Sequence, residues 1–239
     1  MTDRVLVPAG ARVEQGSTLI LDDNESHHLQ VRRAKDGESI ELRDGFGLVG
    51  SGRLVKHGKQ WSVEIGRATC HPPPPELTLV VGAGDRERFD WLVEKAAELG
   101  VTTVVPLETE RTTGVGSRLR SAHLEKLRRR ALEVIKQSGA AWAPRIEPGT
   151  GLAELMTHTG TGAHWLADAA GDPPPPVLNP EPVTVMVGPE GGFTPAERHR
   201  VMEFGYRPIS FGPHTLRFET AALAAAAAVA TARLRGAHG

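Results

Sequence analysis

Apolar and polar residues alternate along the first 71 positions and follow longer periods after them. Runs such as Ser39-Ile40-Glu41-Leu42 and Trp61-Ser62-Val63-Glu64-Ile65 switch face at every residue, and Asp36-Gly37, Asp44-Gly45 and His57-Gly58 punctuate them. Alternation broken by tight-turn dipeptides predicts a small antiparallel β-barrel. His71 and the four prolines after it form a stiff linker, because polyproline cannot continue a sheet. The expected domains are therefore 1–71 and 76–239.

Beyond the linker the pattern is that of strands alternating with helices. Leu77–Val81 reads as a buried strand, followed by the turn Gly82-Ala83-Gly84. A helix with Phe89, Leu92, Ala96 and Leu99 on one face follows, closed by Gly100, and then a strand over Val101–Pro106. A further helix is predicted from about Leu119 to Gln137, with Leu124, Leu127, Ala131 and Val134 as its apolar stripe. Ala163–Asp168 reads as a strand leading to a loop with a second proline run, Pro173–Pro176.

Val183–Val187 is an apolar, mostly β-branched run that predicts a buried strand. It enters Gly188-Pro189-Glu190-Gly191-Gly192-Phe193, whose glycines let a ligand approach the backbone. Thr194 with Glu197 three residues on, and Pro195 between, predicts a capping box and a helix that Gly205 ends. A second strand, Pro208–Phe211, runs into Gly212 and then an alanine tract over Ala221–Ala232. A helix apolar on all sides is buried, and one built from alanine permits close approach of another backbone. Two strand-loop-helix units thus lie together, each with glycine at the carboxyl end of its strand, where open α/β sheets bind small ligands.

Composition narrows the chemistry. The 239 residues carry 39% hydrophobic and 24% charged residues and a net charge of −1, so nucleic-acid affinity must come from local patches. The densest patch is the helix near Leu119–Gln137, where Arg118, Arg120, Lys126, Arg128, Arg129, Arg130 and Lys136 face only Glu125 and Glu133. A second is His27–Lys35, in which Arg32, Arg33 and Lys35 read either as phosphate contacts or as a solvated face. A lone Cys70 excludes an internal disulfide and a cysteine-based zinc site, and the ten histidines show no ligand spacing, so no metal is expected. There is no P-loop, Gly-x-Ser-x-Gly elbow or His-Glu-x-x-His. No charged leader precedes an apolar run, and the alanine tract is too weakly hydrophobic for a membrane span, so a cytoplasmic protein without membrane contact is expected.

The motif Gly188-Pro189-Glu190-Gly191-Gly192, followed about two dozen residues later by Gly212-x-x-x-Leu216-Arg217-x-Glu219-Thr220-Ala221, resembles the RsmE type of ribosomal RNA methyltransferase in the SPOUT superfamily. That resemblance implies an α/β fold: an N-terminal PUA-like β-barrel that grips RNA, then a methyltransferase domain with a deep trefoil knot. It implies S-adenosylmethionine as cofactor, N3 of a uridine in 16S ribosomal RNA as target (free or in the small ribosomal subunit), and a homodimer built on the alanine helix. Carried onto this sequence, the cofactor residues are Leu166, Val187, Gly188, Pro189, Glu190, Gly191, Phe211, Gly212 and Leu216. Arg217 is the candidate for stabilising negative charge on uracil, with Glu219 or Glu190 accepting the proton or orienting that arginine. RNA contacts are expected from Arg4, His28, Arg32, Arg33 and Lys95. The chain departs from the family at His214 and Ala140, which stand where arginines are usual. Two other readings compete: an RNA-binding protein without catalysis, and a nicotinamide-dependent oxidoreductase using Gly82-x-Gly84, although Glu87 occupies the third glycine's place.

Overall fold

A computed structural model describes residues 3–11, 13–82, 84–112, 121–157 and 160–237. The chain divides into two compact units, residues 1–73 with 132–143, and 74–131 with 144–239.

The first unit contains β1 (Arg4–Leu6), β2 (Thr18–Ile20), α1 (Asp23–Val31), β3 (Ser39–Arg43), β4 (Leu48–His57) and β5 (Gln60–Cys70). Its sheet runs β1-β3-β4-β5-β2. The β3–β4–β5 meander is antiparallel, as the alternation predicts, whereas β1 joins β3 in parallel. Among the described residues β1 and β2 are edges, so hydrogen bonds do not close this sheet into a ring. Gly37, Gly45 and Gly58 hold positive φ at the three predicted turns. Inward-facing Val5, Ile40, Leu42, Leu54, Trp61 and Val63 form the core.

The second unit contains β6 (Leu77–Val81), α2 (Arg86–Glu98), β7 (Thr103–Glu108), a 3₁₀ turn at Glu110–Thr112, the start of α3 (Ser121–Ser138, whose residues from Leu132 on belong to the first unit), β8 (Arg145–Ile146), β9 (Thr150–Gly151) and α4 (Leu152–Leu155). It continues with β10 (Ala163–Asp172), β11 (Val183–Val187), α5 (Pro195–Glu203), β12 (Arg207–Ile209) and α6 (Phe218–Ala237). The sheet order is β12-β10-β11-β6-β7-β8, with β9 also on β7, and every pairing is parallel. Parallel strands are covered on both faces, which is why β11 is apolar at four of its five positions. Val183, Val185 and Val187 join one core with Phe89, Leu92 and the α6 alanines, while Met186 faces Val80, Leu166 and Tyr206 in another.

Three expectations need adjustment. In α3 the fully buried residue of the last turn is Ile135, with Val134 half-buried, because the helix keeps a 3-4-4 spacing from Leu124. The second glycine-bearing strand is β12 at Arg207–Ile209, shorter and earlier than expected, so Ser210 and Phe211 belong to the loop. Finally, α6 is not buried on every side of this single chain: Ala222, Ala225, Ala226 and Val229 are fully buried, but Leu223, Ala224, Ala227 and Ala228 are only half-buried. No helix among the described residues is long and apolar enough to cross a membrane.

Candidate active site

Residues 166–169 of β10 and the loops that leave the carboxyl ends of β11 and β12 come together beside the sheet. Between them lies a cleft of about 480 Å³. The β11 loop is fixed by local chemistry. Thr194 caps α5 by accepting the Glu197 N–H at 3.2 Å, and the Glu197 carboxylate accepts the Thr194 N–H at 2.8 Å. Glu197 is buried, and its other oxygen accepts the Glu110 N–H at 2.8 Å, tying the capping box to the segment after β7. Gly188 lets the Phe193 ring cross the turn: a Cβ there would stand 3.1 Å from two ring carbons.

The cleft gathers most of the predicted pocket. Leu166, Val187, Gly188, Pro189, Glu190, Phe211, Gly212 and Leu216 all line it. Gly191 does not; its carbonyl turns outward to accept a hydrogen bond from Arg111, and Gly192 lines the cleft instead. Arg217 and Glu190 are exposed and line the cleft, as does His214. Glu219 is elsewhere. Its side chain is buried at the start of α6 and Oε1 lies 3.4 Å from Arg88 Nη1, so the structure separates it from Arg217. Arg217 lies in the loop before α6, whereas Glu219 is on the first turn of that helix with its carboxylate toward Arg88 of α2.

Sequence reading missed one charged pair in the cleft. Arg198 of α5 donates from Nε and Nη2 to Asp168 Oδ2, at 3.0 and 2.8 Å. Asp168 Oδ1 accepts the Ala170 N–H at 2.9 Å. That backbone hydrogen bond, and then Arg198, hold the Asp168 carboxyl below the usual carboxylate range. Neither residue belongs to a glycine motif; the only signal was that Asp168 ends an apolar run.

The Gly82 turn is filled from within. A Cβ at Gly82 would stand 2.7 Å from Pro189 Cδ and 2.8 Å from Pro189 N, so the close approach that glycine allows is taken by the β11 loop rather than left for a pyrophosphate.

The predicted RNA residues divide by their partners. Arg4 is held inside its unit, with Nε 2.8 Å from Glu41 Oε2 and Nη1 donating to the carbonyls of Lys136 and Gln137. Arg32 pairs with Asp3 and Glu38, each at 2.8 Å, and Lys95 pairs with Glu98. His28 and Arg33 are exposed. On α3, Arg128 bonds Glu125 and the Ile146 carbonyl, Arg130 pairs with Asp90 and Glu94, and Lys136 with Glu25 and Glu133. Lys126 and Arg129 are exposed, while Arg118 and Arg120 lie outside the described residues. Of the five basic side chains of this helix region among the described residues, three are therefore committed to ion pairs within the fold. No group of His, Cys, Asp or Glu among the described residues is placed to hold a metal ion.

Two family models match the chain: an RNA methyltransferase domain over residues 71–230 and an RNA methyltransferase PUA domain over residues 21–61. Ribosomal RNA small subunit methyltransferase E of Aquifex aeolicus is 31% identical, over 87% of this chain and 91% of its own length. The protein of that name from Rickettsia conorii is 29% identical over 95% and 94%. Among solved structures, ribosomal RNA small subunit methyltransferase E from Neisseria gonorrhoeae bound to S-adenosyl methionine superposes with a TM-score of 0.83 at 29% identity, covering 95% of this chain and 96% of that one. A probable rRNA-methyltransferase from Porphyromonas gingivalis gives 0.81 at 27% identity, covering 98% and 99%.

Proposed function

Because this chain belongs to the ribosomal RNA small subunit methyltransferase E family, we propose that it transfers a methyl group from S-adenosylmethionine to N3 of a uridine in 16S ribosomal RNA. The observation that carries this reading is the convergence of the Gly188–Phe193 and Gly212–Arg217 segments on one cleft. Its volume falls within the range of small-ligand pockets. Leu166, Val187, Phe211 and Leu216 supply apolar walls for an adenine, and glycine at 188 and 212 brings backbone N–H and C=O groups near its edge. These residues fit the cofactor.

When bound, S-adenosylmethionine supplies an already activated methyl group. The chain's own tasks are then to orient the base and to manage its charge. Loss of the N3 proton puts negative charge on uracil O2 and O4, and Arg217 on the cleft wall stabilises it. Glu190, also on the wall, accepts the proton; Glu219 instead positions Arg88. N3 lies on the pairing edge, so the target base must be unpaired or flipped out.

The first unit serves as a PUA-like domain that grips RNA through exposed cations, Arg33 first among them. The second carries a deep trefoil knot, and the half-buried face of α6 pairs with a second copy. The protein works in the cytoplasm on the small-subunit RNA. Mass spectrometry of ribosomal RNA nucleosides after incubation with protein and cofactor tests the reading: 3-methyluridine is expected, and its absence with both free RNA and small subunits would reject it.

A further inference from the structure

Away from the cleft, Arg86, Asp90 and Glu94 recur every four residues along α2, and His123 and Arg130 stand two turns apart on α3, so each set forms one stripe. The stripes meet. His123 is buried, with Nδ1 2.7 Å from Arg86 Nη2 and Nε2 2.7 Å from Asp90 Oδ1. Arg130 Nη1 reaches Asp90 Oδ2 at 3.3 Å, and its Nε reaches Glu94 Oε1 at 3.1 Å. A guanidinium can only donate, so Nδ1 accepts from Arg86 and the ring proton sits on Nε2, donated to Asp90. These partners assign His123 as a neutral ring in a single tautomer. Two guanidiniums and two carboxylates then balance around it. A second proton would set Nδ1–H against an Arg86 N–H at 2.7 Å and leave one positive charge uncompensated beside a buried ring.

We propose that His123 is an acid-released latch between α3 and the start of α2: the neutral ring holds Arg86, and protonation lets it go. Asp90 keeps the ring in either state, because Nε2–H donates to it whether the ring is neutral or charged. Arg86 is exposed, so water can take up the donors it releases. It is also the first residue of α2, and its release frees the turn in which Arg88 meets Glu219 of α6. The latch does not depend on methyl transfer. A histidine retained only for its Asp90 pair would behave in the opposite way, since acid would strengthen that pair and Arg86 would have no part in it.

The test is a pH titration of the full chain with isotope-labelled histidine, read by NMR at the ring nitrogens, for the wild type, His123→Gln and Arg86→Ala. His123→Gln identifies the His123 signals among those of ten histidines and supplies an amide that does not titrate. In the wild type at about pH 8 the proton is expected on Nε2, with Nδ1 bare. Arg86→Ala should move uptake of the second proton to higher pH by roughly half a unit or more. Between about pH 8 and about pH 5 the wild type should lose a few degrees more of melting temperature than His123→Gln. A proton on Nδ1 at the upper pH, an unmoved midpoint in Arg86→Ala, or a wild type that acid destabilises no more than His123→Gln overturns the proposal. Should His123→Gln fail to fold, the one midpoint that Arg86→Ala moves identifies His123, and no moving midpoint overturns the proposal.

Discussion

Glu219 meets Arg88 between the first turns of α6 and α2, with Oε1 3.4 Å from Nη1, while Arg217 two residues earlier faces the cleft. The two charged residues of one motif are thereby assigned to different tasks. Arg217→Ala should lower kcat for methylation roughly 100-fold or more, the scale of losing a single group aimed at developing charge, with S-adenosylhomocysteine affinity nearly unchanged. Glu219→Gln should lower the melting temperature by a few degrees and leave kcat within about threefold. Single-turnover methylation and thermal unfolding separate the two, and a Glu219→Gln rate as low as that of Arg217→Ala would return Glu219 to the chemistry.

Gly82 and Pro189 set the position of the β11 loop. A methyl group at 82 would stand 2.7 Å from Pro189 Cδ, and because Pro189 N lies at 2.8 Å the backbone itself must move. The Gly82 N–H also donates to the Val187 carbonyl at 2.8 Å, which resists that movement. Gly82→Ala should therefore destabilise by about 1–3 kcal/mol, as other overpacked sites do, and weaken S-adenosylhomocysteine binding through the displaced Gly188–Gly192 loop. Chemical denaturation and calorimetry measure the two effects.

What could be read from the sequence was whatever is fixed over a few residues. The Thr194–Glu197 capping box, the glycine turns at 37, 45 and 58, and the apolar β6 and β11 strands depend on short-range backbone preference and patterning, and each appears where expected. The second bond of Glu197, to Glu110 at a separation of 87 residues, has no local signature. The same holds for Asp168 with Arg198, and for Arg4, whose guanidinium is taken by Glu41 and by two carbonyls at the end of α3. A charge in a sequence shows its sign but not its partner, so the basic count on α3 overstated the positive surface available to RNA. Glycine and alanine motifs were informative for the opposite reason: they mark where something must come close, whichever element supplies it.

Tyr206 is the only tyrosine in the chain, so phenolate absorbance reports on it alone. It is buried beside Leu166 and Met186, and burial raises its pKa from 10.0 to about 12. The raised value means that the fold favours the neutral phenol. Its contribution is fully present below pH 10 and is lost as the pH climbs from 10 to about 12, up to about 3 kcal/mol for two units. A pH titration should show a single late transition that moves to near 10 in denaturant, and Tyr206→Phe should flatten the alkaline loss of stability. Titration of the folded protein at the ordinary value would contradict the burial argument.

The α6 face carrying Leu223, Ala224, Ala227 and Ala228 repeats at i, i+1, i+4 and i+5, and it is half-buried although the opposite face is fully buried. With a second copy packed on it, Ala227→Glu would place a charge in the interface. Sedimentation should then show a dimer for the wild type and a monomer for the variant, and a wild-type monomer at micromolar concentration would remove the assignment.

Arg33 and Arg32 are neighbours that should fail in different ways. Arg33 has a φ of 59°, in the left-handed region, where it ends α1 with its N–H donating to the Gln30 carbonyl and that of Ala34 to Leu29. Glycine is at ease in that conformation, so Arg33→Gly should keep or raise stability, by up to about 1 kcal/mol. Its guanidinium is exposed, and its loss should weaken ribosomal RNA binding and reduce the slope of log affinity against log salt by about one phosphate contact. Arg32 is turned to Asp3 and Glu38, so Arg32→Ala should cost stability, by no more than about 1 kcal/mol for each partly exposed pair, and leave the salt slope unchanged. Filter binding at several salt concentrations, run beside thermal unfolding, reads both quantities. If the salt slope moved for Arg32 and not for Arg33, the RNA surface would lie on the other side of α1.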